Sequence, residues 1–222
     1  MEAKTSKQKA EFFSKYFVAV STPKIKRGKA PKKMKYKEAK DEYNKLFCLQ
    51  ELVDQAIKEL DTQRAPGADG IHAEFLQNSG PLFRQQLLSV INKSWICQVP
   101  KQWKVGRITP ILKKDKDANQ TSSYRPIALT SVLAKTAERM VAYRLTTFLE
   151  EKNFICPQQA TIRKNRSTID QVTYIAQQAM EGFAIGETTI VVSIDLTAAF
   201  DVTDRGHVIR EMKRYKVPHN IT

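Results

Sequence analysis

The sequence predicts an α+β fold, mostly helical, with one small hairpin and one further strand near the C-terminal end. Two observations carry this. Apolar residues recur at helical spacing in several separate stretches, and two segments break that period, an alternating one at 105–112 and a β-branched one at 188–194. The chain has 222 residues and a 41% apolar share, enough for one large domain or parts of two, with an ordinary core.

Residues 7–18 form a short amphipathic stretch with Ala10, Phe12, Phe13, Tyr16, Phe17 and Val18, expected to dock on another element. Residues 22–40, lysine-rich and with two prolines, are expected to be an irregular basic linker. From Glu42 to Leu60 the positions of Leu46, Leu49, Val53, Ala56, Ile57 and Leu60 predict a helix. Ala65-Pro66-Gly67-Ala68-Asp69-Gly70 marks a tight turn. Pro81 starts a helix running to about Trp95, with Asn78 or Ser79 as cap candidates. Val105–Leu112 and Pro126–Leu129 are paired as a hairpin with a long polar tip. The longest helix is expected at 131–151. Another runs from a Ser167 or Thr168 cap to Phe183, with Val172, Ile175, Ala176, Ala179 and Phe183 on its apolar face. Thr188–Ile194 has the β-branched density of a buried central strand, and Asp204 is placed to cap a final helix with Val208, Ile209 and Met212.

Composition narrows the function classes. No apolar run approaches the ~20 residues of a membrane span, and no secretory signal follows Lys4, Lys7 and Lys9. The expectation is an intracellular protein, in nucleus or cytoplasm, not secreted and without a membrane partner. Cys48, Cys97 and Cys156 are odd in number and widely spaced, which argues for free thiols over a disulfide or zinc framework. The net charge is +14, of which +10 lies in residues 1–40. Such a segment favours polyanions through counterion release, although a solvated lysine-rich stretch has the same composition.

Asp195 follows an apolar run, where a carboxylate costs desolvation energy unless a helix N-terminus, a basic group or a metal compensates it. From spacing alone an ordinary strand-end or cap aspartate is the reading to prefer. Phosphoryl-transfer chemistry offers a sharper one, since Mg2+ takes oxygen ligands and two such ions can clamp attacking and leaving oxygens.

Several segments share one resemblance. Ser193-Ile194-Asp195-Leu196-Thr197-Ala198-Ala199-Phe200-Asp201 resembles the first palm motif of reverse transcriptases of non-LTR (LINE-type, Jockey-like) retrotransposons. Arg64–Ile71 resembles that family's opening turn. Pro100-x-x-Trp103-Lys104 with Ile108–Lys114 resembles its first fingers strand, and Ser123–Leu129 the second. Gln159–Thr168 resembles Gln-x-Gly-Phe-Arg-x-x-Arg-Ser-Thr, except that Thr161 and Ile162 replace the glycine and the aromatic. The likeness runs from about Lys9 to the C-terminus.

The resemblance implies a right-hand polymerase architecture: a basic N-terminal segment at 1–41, fingers at 42–186, and the beginning of the palm at 187–222. It implies RNA-directed DNA synthesis by two-metal phosphoryl transfer, with Mg2+ (or Mn2+ in its place), an RNA template, a DNA primer and deoxynucleoside triphosphates. Asp195 would be the catalytic residue and metal ligand. Phe200 would lie under the nucleotide sugar and exclude a ribose hydroxyl, Lys113 and Arg125 would face the triphosphate, and Arg163 and Arg166 would face the template. The family's second carboxylate motif is an aromatic-x-Asp-Asp, and no Asp-Asp occurs in this chain. The expectation is therefore an N-terminal fragment inactive on its own. The competing reading is a non-catalytic nucleic-acid-binding remnant of a transposable element. A group II intron or telomerase relative is disfavoured by the Ala-Pro-Gly-Ala-Asp-Gly turn and the Arg-Ser-Thr segment.

Overall fold

The computed structural model describes residues 5–22, 42–196 and 199–221. The basic linker expected at 22–40 lies, from residue 23 on, outside the described residues, as do Thr197 and Ala198 of the Ser193–Asp201 motif. The chain forms two compact units, one of residues 1–148 and 200–222 and the other of 149–199.

The first unit holds the core. Helix α1 (Ser6–Ser21) opens with a reciprocal capping box between Thr5 and Gln8. The short α2 (Ala73–Gln77) was not foreseen from the sequence, and its five residues are too few to show a period. Helix α3 (Pro81–Ile96) follows it. Its N-cap is Gly80, not Asn78 or Ser79. Proline already occupies the first helical position, where no N–H is needed, and the Ser79 hydroxyl donates back to the Leu76 carbonyl. Strands β1 (Gly106–Leu112) and β2 (Tyr124–Thr130) form the expected hairpin, an antiparallel pair with Gly106 opposite Thr130 and Leu112 opposite Tyr124. Helix α4 (Val132–Glu151) buries Val132, Ala137, Met140 and Phe148 in the first unit, positions that its helical period predicts. Short α6 (Ala199–Val202), whose first residue falls in the second unit, is followed by α7 (Arg205–Arg214), capped by Asp204 as expected. The core gathers Phe47, Ile57, Leu76, Leu87, Ile91 and Met140 from α2, α3, α4 and residues 47–60.

The helix expected from Glu42 to Leu60 is interrupted. Glu42–Asn44 is a 3-10 turn, residues 46–48 are irregular, and Glu51–Ile57 is a π-helical stretch. The reason is the Arg144 side chain of α4, which is 9% exposed. Its guanidinium forks onto both oxygens of Glu51, at 2.8 and 3.1 Å from Nη2, and donates to the carbonyls of Tyr43 (3.2 Å), Lys45 and Leu46 (3.1 Å). Carbonyls aimed at a guanidinium are not available to a helix. Asn92 of α3 completes the pairing: its side chain accepts from Phe47 N–H (2.7 Å) and donates to Phe47 O (2.9 Å). The Arg144 guanidinium also stacks over the Phe47 ring, 3.8 Å from its centroid.

The hairpin is anchored at its base. Gly70 N–H donates to Gly67 O (3.2 Å) and Ile71 N–H to the Asp69 carboxylate (3.2 Å), closing the tight turn that the sequence marks. Gly67 is pressed against the junction of β2 and α4. A Cβ there would lie 2.6 Å from both Ser131 N and Thr130 C. Pro110 and Pro126 face each other across the strands. Lys113 N–H donates to Ser123 O (2.8 Å), so by alternation the 110/126 pair is a non-hydrogen-bonded one. The missing proline donors then fall on the outer edges, where they blunt the hairpin against further strand pairing without weakening its ladder.

The second unit contains α5 (Thr168–Ala184), capped by a Ser167–Asp170 box as the sequence suggested. The strand expected at Thr188–Ile194 is absent: residues 187–196 carry no regular structure, and Ile190, Val192 and Ile194 are exposed. A strand exists only through a partner ladder, and no described residue offers one to this segment. The apolar face of α5 is exposed as well, with Val172 and Phe183 open to solvent. Among the described residues no helix is long and apolar enough to cross a membrane.

Two outcomes follow for stability. Arg144→Ala strands a largely buried Glu51 and three carbonyls and should cost roughly 3 kcal/mol. Arg144→Lys should recover only part of this, because a lysine cannot fork. Gly67→Ala forces backbone apart at the hairpin base and should cost about 1–3 kcal/mol. Urea unfolding of the three variants measures both effects, and a loss below about 0.5 kcal/mol in either alanine variant contradicts the corresponding packing argument.

Candidate functional site

A pleated hairpin has two faces, and the register assigns every side chain to one of them. Arg107, Thr109 and Ile111 share a face with Arg125, Ile127 and Leu129, and Lys113, one residue beyond β1, is joined to Ser123 by its N–H (2.8 Å). Ile108, Pro110 and Leu112 share the opposite one with Tyr124, Pro126 and Ala128. Carrying the alternation one step past β1, through the Lys113–Ser123 bond, puts Lys113 on the side of Arg125 as a diagonal neighbour, roughly 7–8 Å apart. Arg125 is exposed and Lys113 half-buried. The Lys113 ammonium donates once, to the Ser122 carbonyl at 2.8 Å, which fixes its direction and leaves two of its three donors. A planar donor fork beside a point charge is a donor set suited to phosphate oxygens. Arg107 extends the same basic face and was not singled out from the sequence. Its signal was there, an even-numbered offset of six from Lys113 along one strand, but it needs the register to be visible. The tip between the strands is held by Asp117, which accepts from Asn119 N–H (2.9 Å), and by the Tyr124 hydroxyl, which donates to Ala118 O (3.0 Å).

Phe200 also belongs to the first unit. It lies in α6 and is 92% exposed, so it is not a core aromatic. Asp201, next in the same turn, is exposed too.

Asp195, Arg163 and Arg166 belong to the second unit. Asp195 is exposed on the irregular 187–196 segment, not at the end of a buried strand, so its carboxylate carries no desolvation burden there. Arg163 is enclosed. Its side chain is 10% exposed, forks onto Glu150 at 2.8 and 2.6 Å, and donates to the carbonyls of Cys156 (3.0 Å) and Gln159 (3.1 Å). Its guanidinium is committed to holding the loop after α4. Arg166 is exposed, and its charge adds to the field at Glu150. Where the resemblance leads one to expect glycine and an aromatic, the left-handed backbone falls on Ile162 (φ 60°) and not on Thr161. A β-branched residue there is strained.

Among the described residues no three His, Cys, Asp or Glu side chains gather as a metal site. Asp195 is a single exposed carboxylate, and such a donor set does not hold a pair of divalent ions.

The Arg163 fork holds the Glu150 carboxyl below the usual glutamate range, chiefly through the direct hydrogen bond. A lowered folded-state value means that the pair stabilises fully above the ordinary glutamate pKa and is lost as pH falls through the lowered one. NMR titration of Glu150 should show its pKa rising to the ordinary value in Arg163→Ala. An unchanged titration would mean that the pair is not formed in solution.

Comparison with known proteins identifies the family. The model of the family "Reverse transcriptase (RNA-dependent DNA polymerase)" matches residues 111–222, which include Lys113, Arg125, Arg163, Arg166, Asp195 and Phe200. The chain is 32% identical over 171 residues to the probable RNA-directed DNA polymerase from transposon BS of Drosophila melanogaster, covering 76% of this chain and 19% of that protein. It is 30% identical over 153 residues to the probable RNA-directed DNA polymerase from transposon X-element of the same species, covering 67% and 16%. It is 27% identical over 169 residues to the RNA-directed DNA polymerase from mobile element jockey, also of Drosophila melanogaster, covering 76% and 18%. The chain thus spans about a fifth or less of the length of these relatives. With half of its residues matched by the family model, and with the paired strands that carry Lys113 and Arg125 reaching into that match, the chain belongs to the reverse transcriptase family.

Proposed function

We propose that the chain is part of an RNA-directed DNA polymerase of a non-LTR retrotransposon, and that the basic side of the hairpin is its nucleotide-facing part. The observation that carries this is the shared face of Lys113 and Arg125 on a hairpin whose base is pinned by Gly67. In this reading the hairpin is the fingers strand pair, and Lys113 and Arg125 hold the triphosphate of the incoming deoxynucleotide. Phe200, exposed and next to Asp201, screens the nucleotide sugar. In the second unit, Asp195 is the family's catalytic carboxylate, and Arg166 contacts the template. An RNA template and a DNA primer are the partners, and an intracellular location goes with them. The family's metal chemistry, with Mg2+ or Mn2+, needs further carboxylates beside Asp195. The described residues do not supply them, so no step is assigned to a metal here.

A second reading is retained because the net charge is strongly positive: a nucleic-acid-binding protein without catalysis. The two diverge in what they bind. Titration of the 222-residue chain with a fluorescent deoxynucleoside triphosphate should show saturable binding, weakened roughly tenfold or more by Lys113→Ala or Arg125→Ala. Primer extension by this chain alone is expected to give no product, since it holds no Asp-Asp pair. Triphosphate binding unaffected by either substitution, beside steeply salt-dependent RNA binding, favours the second reading.

A further inference from the structure

The hairpin's second face is not left to solvent alone. Along α1 the half-buried residues are Phe13, Tyr16, Phe17 and Val20, spaced as one stripe of a helix, while Phe12 is exposed and does not line the groove beside the hairpin. Phe13 meets the ring of Tyr124 edge-on, with centroids 4.7 Å apart. Phe13 and Phe17 form one wall of a groove of about 800 Å³, and Ile108, Pro110, Pro126 and Ala128 form the other. All four belong, with Tyr124, to the face opposite Lys113 and Arg125.

A two-stranded hairpin is at best marginally stable in water unless something packs on it. The element beside it is α1, which touches it through the Phe13–Tyr124 ring contact while Ile108, Pro126 and Ala128 across the groove stay exposed. Tyr124 immediately precedes Arg125, is paired with Leu112 immediately before Lys113, and braces the tip through its hydroxyl. Tyr124 is thus next to Arg125 in the chain and one pairing away from Lys113.

We propose that α1 is a positioning element for the basic face of the hairpin, acting through the contact of Phe13 with Tyr124. The functional consequence rests on the reading that Lys113 and Arg125 bind a triphosphate. The mechanical part does not.

Amide hydrogen exchange of the full chain tests the mechanical part. Phe13→Ala should speed exchange across 106–112 and 124–130 by about two- to tenfold, the range that an aromatic pair supports, with α3 and α4 unchanged. Phe13→Tyr should restore the parent pattern. Phe12→Ala, on the exposed side of the same helix, should leave it unaltered. Equal exchange in Phe13→Ala and the parent overturns the proposal, as does Phe12→Ala acting like Phe13→Ala. In parallel, Phe13→Ala should weaken binding of the fluorescent deoxynucleoside triphosphate by a comparable factor, again with rescue by Phe13→Tyr. Undiminished binding in Phe13→Ala, where Lys113→Ala does weaken it, overturns the positioning role. If neither Lys113→Ala nor Arg125→Ala weakens binding, the triphosphate reading falls instead, and the exchange result alone decides whether α1 holds the hairpin.

Discussion

The backbone of residues 45–48 has no helix or sheet of its own, and 43–44 have only a 3-10 turn, so the polar groups of this strip must find side chains, and most of the first unit is organised by how they do. Arg144 takes the carbonyls of Tyr43, Lys45 and Leu46, and Asn92 takes both backbone groups of Phe47. Cys48 N–H donates to Glu51, which Arg144 holds in turn. Asn44 accepts from Trp95 through its carbonyl, and from Asn220 through both its carbonyl and its side chain. One irregular strip thereby joins α3, α4 and the C-terminal turn. Buried backbone that lacks partners is expensive, so these elements cannot separate without exposing the whole set. The Arg144 cation is the centre of this arrangement because only a guanidinium has enough donors, in one plane, to serve a carboxylate and three carbonyls together.

From that strip the order propagates outward along α4. The helix begins where β2 ends, and Gly67 fills the junction so closely that a methyl group has no room. The hairpin's base is therefore held by the core, while its tip depends on local hydrogen bonds and on α1. The result is a gradient from a fixed base to a less constrained basic face. The C-terminal end is fixed in a comparable way. Helix α7 closes with Val217 N–H donating to Met212 O (2.9 Å) and Lys216 in the left-handed region (φ 56°), which turns Val217 into the interior at 1% exposure.

Much of this was legible from the residues. The caps at Ser167 and Asp204, the long helix of α4, the tight turn at Gly67–Gly70 and the pairing of the hairpin all follow from local chemistry, and local chemistry is what a sequence displays. The failures share a cause. Residues 42–60 have a good helical period, yet a side chain a hundred positions away captures their carbonyls, and no local pattern records that. Residues 188–194 have the composition of a buried strand, but β-branched density states only what a strand would favour, and a ladder needs a second chain segment beside it. The apolar period of α5 is likewise a demand for cover that no described residue meets. At the candidate site, the positions of Lys113 and Arg125 were visible as residues but not as one face. Arg107 was missed because facing is a property of register.

The basic residues illustrate a more general point about charge. Composition counts Arg144, Arg163, Lys113 and Arg125 alike, and the family likeness pointed to Arg163 as readily as to Arg125. Their surroundings separate them. Arg144 and Arg163 are enclosed by carboxylates and carbonyls that consume their donors, and releasing either to meet a ligand would leave several polar groups unpaired. Arg125 is exposed, and Lys113 gives up one donor of three. A largely buried guanidinium that spends four or five of its five donors on protein groups has little capacity left for a phosphate, whereas an exposed one beside a lysine that spends one donor of three keeps most of it. By that physical criterion the hairpin side suits the phosphate-binding role proposed for these residues better, and Arg163 is bound to the carbonyls of Cys156 and Gln159.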